Sequence, residues 1–294
     1  MQFHPAQERF VADRARYTLA VAGHQGGKTL AAAKAFGERL RELYNDRVRA
    51  GRRGLVVNAW VVTPTYELAT MPQRYLRGVF GPQTKWRGRM RGIYLECEPW
   101  PGCIVKFRSG EHPEKLVSEP VDAMWANETA RIKSDAWRGN MRMRLTATNG
   151  WLIADTTPLG QNWVYQDLYL PSLPPGHPQH DPERYSPEYS HHLWHTADNP
   201  AVSPERIEEA QRTLRGRLTY AGTVLRFVPP LAALSTDQVV ALTTAQSAAL
   251  TSVQTSRFST AQTVALELDD VSKLSTSALD SLSLTASASL TSTQ

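Results

Sequence analysis

Lys28 and Thr29 follow the short run Gly23-His24-Gln25-Gly26-Gly27, and an alanine-rich stretch, "LAAAKAFGERL", follows them. Glycines at this density let a chain turn its backbone N–H groups toward one point. A helix starting at the lysine adds the positive end of its dipole there. Such a loop can cradle phosphate oxygens. Lys28 would reach the terminal phosphates and the Thr29 hydroxyl would meet a Mg²⁺ ion. The usual spacing asks for glycine six residues before the lysine; that position is Ala22, with Gly23 next. A second stretch, "AMWANE" (123–128), ends an apolar run in an amide and an acid. Glu128 suits the positioning of an attacking water. Asn127 stands where a metal-holding aspartate would be expected; its amide oxygen can coordinate Mg²⁺ without supplying charge.

These residues need strands to end on and a helix to start from. "YTLAVA" (17–22) reads as a buried strand, and 29–44 as a helix with Leu30, Ala33, Leu40, Leu43 and Tyr44 on one face. Segments 55–64, 103–109, 123–128 and 150–158 read as further strands, with helices expected around 130–145 and over 203–218. Alternating strands and helices argue for an α/β domain with a mainly parallel sheet.

The chain has 294 residues, 41% hydrophobic and 21% charged, which fits a globular protein. No apolar run reaches the length of a membrane span, and the N-terminal residues lack a signal pattern. Cys97 and Cys103 make neither a disulfide framework nor a zinc set, so a reducing cytoplasm is expected. Net charge is +5, unevenly spread: residues 231–294 hold two basic and five acidic residues, leaving 31 and 23 in the remainder. A basic body suggests a polyanionic partner.

Composition changes at Pro229-Pro230. All eight tryptophans lie before it; Ser, Thr, Ala, Leu and Gln dominate after it. Leu234, Leu242, Leu250, Phe258, Leu266, Leu274, Leu282 and Leu290 recur every eight residues, and Gln238, Gln246, Gln254 and Gln262 keep the same step. Ser or Thr three residues before Gln is a capping-box pattern; the repeat does not by itself choose between capped helical turns, a β ribbon and disorder, and short capped helical turns with poor packing are expected. Organisation is expected as a P-loop core (1–170), a proline-rich connector with a closing helix (171–228) and an octad-repeat tail (229–294).

Several stretches, in order, resemble the large terminase subunit of tailed bacteriophages: "FHPAQERF" (3–10), "AGHQGGKT" (22–29), "WVVTPTYELA" (60–69), the approach to "ANE" (104–130), "LTATNGWLIADTTPLGQNWVY" (145–165) and "TADNPAVSPERIEEAQRTL" (196–214). The resemblance covers roughly residues 3–227. It implies an ASCE-type P-loop ATPase that uses ATP and Mg²⁺ to move double-stranded DNA into a capsid. It also implies a homo-oligomeric ring on a phage portal, with a small terminase subunit, in the cytoplasm of a bacterial host. Carried over by residue, Gln7 is the adenine contact, Gly23, His24, Gln25, Gly26, Gly27, Lys28 and Thr29 form the nucleotide loop, and Thr29 with Asn127 holds the metal. Glu128 and Lys28 are catalytic, and Thr157 of Thr156-Thr157-Pro158 couples hydrolysis to movement.

The sequence departs from the family at His24, where arginine is usual, and at Asn127. The octad tail stands where the family's nuclease would start, so no nuclease activity is expected. A nucleotide-binding remnant and a basic DNA-binding module with an interaction tail are the alternatives. "KWRGRMRG" (85–92) is a solvated basic loop or a DNA contact. Arg138, Arg142 and Arg144 are candidate fingers for a neighbouring subunit, and His191, His192 and His195 read as surface histidines.

Overall fold

The computed structural model describes residues 3–90, 92–117, 119–177, 179–203, 205–206, 236–240, 242, 244–248, 250, 255, 258–266 and 268–280. The backbone divides into two compact units, one within Met1–Pro175 and His180–Arg226, the other within Gly176–Gln179 and Phe227–Gln294.

The first unit is built on one eight-stranded sheet: β1 (Tyr17–Ala22), β2 (Val57–Thr63), β3 (Lys85–Met90), β4 (Ile93–Trp100), β5 (Cys103–Ser109), β6 (Ala123–Asn127), β7 (Trp151–Thr156) and β8 (Tyr189–Trp194). Their order across the sheet is β3-β4-β5-β2-β6-β7-β1-β8. Strands β5, β2, β6, β7, β1 and β8 pair in parallel, while β3 and β4 add an antiparallel hairpin at one edge. This is the mainly parallel α/β domain the sequence calls for. β1, β2 and β6 are buried along their whole length, as strands covered on both faces must be.

Helix α1 (Pro5–Ala12) precedes β1, α2 (Lys28–Arg49) joins β1 to β2, and α3 (Thr70–Phe80) follows β2. α2 presents Ala31, Ala32, Ala35, Phe36 and Leu40 to the sheet. Small residues let it lie close, and Phe36 fills the space against Trp125 on β6, ring centroids 6.0 Å apart. The helix expected around 130–145 runs over 134–146 with a π-type middle (Ala136–Met141) continuing into α4 (Arg142–Thr146), and a separate 3₁₀ turn (Thr129–Arg131) precedes it.

Two segments differ from expectation. Within the basic stretch 85–92, Lys85–Met90 is not a loop but edge strand β3, where Arg87 pairs with Glu98 at 2.8 Å and Trp86 lies beneath Arg77 at 4.4 Å. The histidine-rich segment after the proline-rich connector is strand β8. His191 and His192 are half-buried there, His191 bonded to Ser172 and His192 to Asp13. A strand so rich in His and so close to prolines lacks the β-branched signature by which strands are read.

Asp13 shows what that strand contributes. Burial alone would raise its carboxyl pKa, but hydrogen bonds from His192 and from the Ala15 amide outweigh it and hold it at about 2. A depressed carboxyl stabilises the fold above its ordinary pKa and loses that contribution as pH falls through the folded value. Asp13→Asn is expected to cost about 2 kcal/mol at neutral pH. The gap between parent and variant in denaturant melts should close between about pH 4 and pH 2.

In the second unit, the described tail residues form short helices: Thr236–Val240, Thr244–Ala248, Thr260–Val264, Leu268–Val271 and Thr276–Asp280. Their starts fall on the eight-residue step, and at Ser259/Gln262 both halves of the capping box are made. Leu250, Phe258, Leu266 and Leu274 are buried together. Among the described residues the repeat positions form short turns whose apolar residues pack on one another. Breaking the helix at each unit resets its phase, so a residue every eight can face one core, which a continuous helix would not allow. Leu282 and Leu290, and most of the helix expected over 203–218, lie outside the described residues. No described helix is long and apolar enough to cross a membrane.

Candidate phosphate-binding and hydrolysis site

The ends of β1, β6 and β7 meet at one edge of the sheet. From β1 the chain enters residues 23–27 and then α2. Gln25 and Gly27 take positive φ, 59° and 74°. At Gly27 a side chain would be strained by that φ and would run into the Gln7 amide, 2.5 Å from a built Cβ. The loop's carbonyls are held from outside. Thr196 donates to His24 C=O at 2.7 Å, Asn199 donates to Gln25 C=O, Trp194 donates to Gly26 C=O at 2.6 Å, and Gln7 donates to Gly27 C=O at 3.2 Å. Because a peptide's N–H points opposite to its C=O, anchoring the carbonyls outward turns the amides of Gln25, Gly27 and Lys28 inward. The Gly26 N–H is the exception, spent on Gly23 C=O at 3.1 Å. Three of these anchors come from β8 and the turn after it, an element the sequence did not reveal.

Inside the loop, Lys28 is buried and its Nζ lies 3.0 Å from Glu128 Oε1. Glu128 directly follows β6 and holds a left-handed backbone, φ 50° and ψ 45°, which is costly for a residue with a Cβ. That conformation swings its carboxylate off the strand line toward the lysine. His24 is pushed below its ordinary pKa, first by burial and then by the Lys28 ammonium, so it is neutral at pH 7.

Asn127 and Asp155 are register partners at the ends of β6 and β7. Asn127 Nδ2 donates to both Asp155 oxygens, at 3.1 and 2.9 Å, and lies 3.4 Å from Thr29 Oγ1. Thr29 Oγ1 is 3.3 Å from Asp155 Oδ2, and Trp125 Nε1 donates to Oδ1 at 2.6 Å. Asp155 is fully buried. Burial pushes its carboxyl up to about 6, against the lowering effects of Lys28, Trp125 and Asn127. In the sequence it reads as one polar position in the strand "WLIADTTP", not as a site residue. The only signal for it was an acid at the end of a buried strand.

Beyond Asp155, Thr156 Oγ1 accepts the Ala130 amide at 3.1 Å, and Thr129 Oγ1 donates to Ala126 C=O at 2.6 Å and to Asp155 C=O at 3.2 Å. The segment after Glu128 is thus laced to the end of β7. Thr157 is buried and its hydroxyl has no hydrogen-bond partner among the described residues. On the other side of the loop a cavity of about 500 Å³ is lined by Gln7, Lys28 and Thr29 together with Phe3, Tyr75 and Pro200. Its apolar and aromatic wall next to backbone amides suits a base beside its phosphates. Among the described residues no three His, Cys, Asp or Glu side chains form a metal cluster. The oxygens of Thr29 and Asp155 are still the hard donors Mg²⁺ takes, in the small number it takes when phosphates and water complete its shell.

Arg138 lies elsewhere. It pairs in a bidentate bridge with Asp167 at 2.6 and 2.9 Å, and with Arg142 lines a cleft at Tyr17, the opposite end of β1 from the loop. Arg144 donates to Val117 C=O. Within its own chain none of the three serves Lys28 and Glu128.

No family model matches the chain. It is 27% identical over 182 residues to the large terminase subunits of Thermus phage G20c and Thermus virus P23-45, covering 55% of this chain and 35% of each relative. To that of Escherichia phage T5 it is 28% identical over 167 residues, covering 54% of this chain and 34% of the relative. The chain therefore spans about a third of the length of these curated relatives. Among solved structures it is similar to the large terminase ATPase domain of Thermus phage P74-26, with TM-score 0.57 and 23% identity, covering 76% of this chain and 92% of that one. It is also similar to a large terminase from a thermophilic bacteriophage in complex with ATP-gamma-S, with TM-score 0.54 and 14% identity, covering 81% and 57%. In sequence and in fold, the chain resembles the ATPase half of the large terminase subunit of phages.

Proposed function

We propose that the chain hydrolyses ATP to drive double-stranded DNA into a phage capsid, as the ATPase part of a large terminase subunit. The observation that carries this reading is the meeting of Lys28, Thr29, Glu128 and Asp155 at three adjacent strand ends, beside a cavity of about 500 Å³. The strand order supports an ASCE-type P-loop: β7 separates the loop-bearing strand β1 from β6, the strand that Glu128 follows.

In this reading the loop Gly23-His24-Gln25-Gly26-Gly27 wraps the phosphates, the amides of Gln25, Gly27 and Lys28 donate to their oxygens, and the Lys28 ammonium leaves Glu128 for the terminal phosphates. Released from the ammonium, Glu128 orients the attacking water and takes its proton. Gln7 braces the loop from the cavity wall, next to the adenine. Thr29 would hold a Mg²⁺ ion, with Asn127 at the border of its site, and the ion would supply neutralisation of the charge that develops on the phosphates. Thr157 reports the state of the terminal phosphate through the ties between β7 and the segment after Glu128. Double-stranded DNA, a portal, a small terminase subunit and further copies of the chain in a ring are the partners this reading implies, in the host cytoplasm.

Lys28→Ala should lower ATP turnover by at least about 10²-fold, as expected for losing one fixed donor to a transferring phosphate. The check is phosphate release by the parent and the variant, with and without linear DNA. A parent that neither binds nor hydrolyses ATP would overturn the proposal. The neutral His24 favours a second reading, a nucleotide-binding remnant, which predicts ATP binding with no DNA-stimulated turnover.

A further inference from the structure

The end of β6 carries an amide where a metal-binding acid is expected, and a buried acid stands directly beside it on β7. We propose that Asp155 is the metal-side carboxylate of the nucleotide site, so that the acid has moved one strand sideways and Asn127 serves it as a hydrogen-bond donor. This rests on the nucleotide-binding reading above.

Three observations support it. First, Asn127 and Asp155 are Cα partners in neighbouring parallel strands, so their side chains leave the same face at the same level. Second, β7 lies between β6 and β1, so a residue at 155 is one strand closer to the loop than a residue at 127. Asp155 Oδ2 lies 3.3 Å from the Thr29 hydroxyl, the group the loop offers to a metal. Third, Asn127 turns its amide nitrogen, a donor with no affinity for a cation, toward both Asp155 oxygens at 3.1 and 2.9 Å. An amide in that orientation brings a carboxylate and holds it; with Trp125 it fixes the carboxylate plane. A fully buried aspartate is costly, and a purely structural partner for Trp125 and Asn127 would not need the charge.

The arrangement also explains how a site can keep one formal negative charge for the cation although position 127 is neutral. An acid at both positions would put two carboxylates about one hydrogen bond apart in a buried setting, where both cannot ionise without penalty. The pair therefore works as one acid and one amide, and the order across the two strands is exchangeable because both positions face Thr29.

The test measures binding of a fluorescent ATP analogue to the full chain, in EDTA and in Mg²⁺, alongside thermal melts. The parent should bind in EDTA and more tightly with Mg²⁺. Asp155→Asn should bind in EDTA as the parent does, and lose at least about tenfold of the gain from Mg²⁺. The exchange, Asn127→Asp with Asp155→Asn, should regain it. An unchanged Mg²⁺ gain in Asp155→Asn overturns the proposal. If that variant does not fold, the exchange decides: a parental gain supports the proposal and a lost gain overturns it. Absence of analogue binding by the parent in both conditions would instead sink the nucleotide-site reading itself.

Discussion

Glu128→Gln should bind ATP about as well as the parent and turn it over roughly 10²–10⁴ times more slowly, the range lost when a positioned general base is removed. The glutamine keeps the shape of the side chain and can still accept a hydrogen bond from Lys28, so the fold and the loop should persist. What it loses is the ability to take a proton from water. The strained backbone at this residue sharpens the prediction: φ 50° is maintained in a non-glycine residue because the turn aims the side chain at the loop. Single-turnover measurements with saturating ATP separate the two effects. A variant that loses binding as strongly as turnover would show that Glu128 mainly holds Lys28 in place. One that keeps turnover would move the base elsewhere.

The second large effect is on stability. Trp125 is fully buried at the centre of the sheet, packs against Phe36, and gives its indole N–H to Asp155 at 2.6 Å. Trp125→Ala opens a cavity and removes a donor from a buried carboxylate. The cavity alone is expected to cost about 3–5 kcal/mol, lowering the melting temperature by on the order of 10 °C for a domain of this size. Trp125→Phe retains most of the packing and should lose chiefly the hydrogen bond, about 1–3 kcal/mol. Differential scanning calorimetry of the three proteins checks the order parent, Phe, Ala. If Phe is as damaging as Ala, the hydrogen bond to Asp155 dominates; if it matches the parent, Asp155 does not depend on Trp125. The two predictions act at different distances from the chemistry, since Glu128 handles the proton and Trp125 sets the plane of the neighbouring acid.

The sequence by itself determined the loop. Glycines before Lys28-Thr29, a buried strand before them and an alanine-rich helix after them are local features, and each is encoded within a dozen residues. The same holds for β1, β5, the strand ending in Asn127-Glu128, and the capped turns of the tail, where spacing and capping chemistry act over one or two helical turns. Tertiary structure decided what lies between strands. Parallel strands that pair are far apart in the chain, so nothing local shows that Asn127 and Asp155 share a register. Nothing in "WLIADTTP" shows that its aspartate ends beside Thr29. The same distance hid β8, whose Trp194 and the following Thr196 and Asn199 hold the carbonyls of a loop some 170 residues earlier. Local pattern fixes which backbone a segment prefers. Which side chains meet depends on long-range strand order, which a single sequence does not spell out.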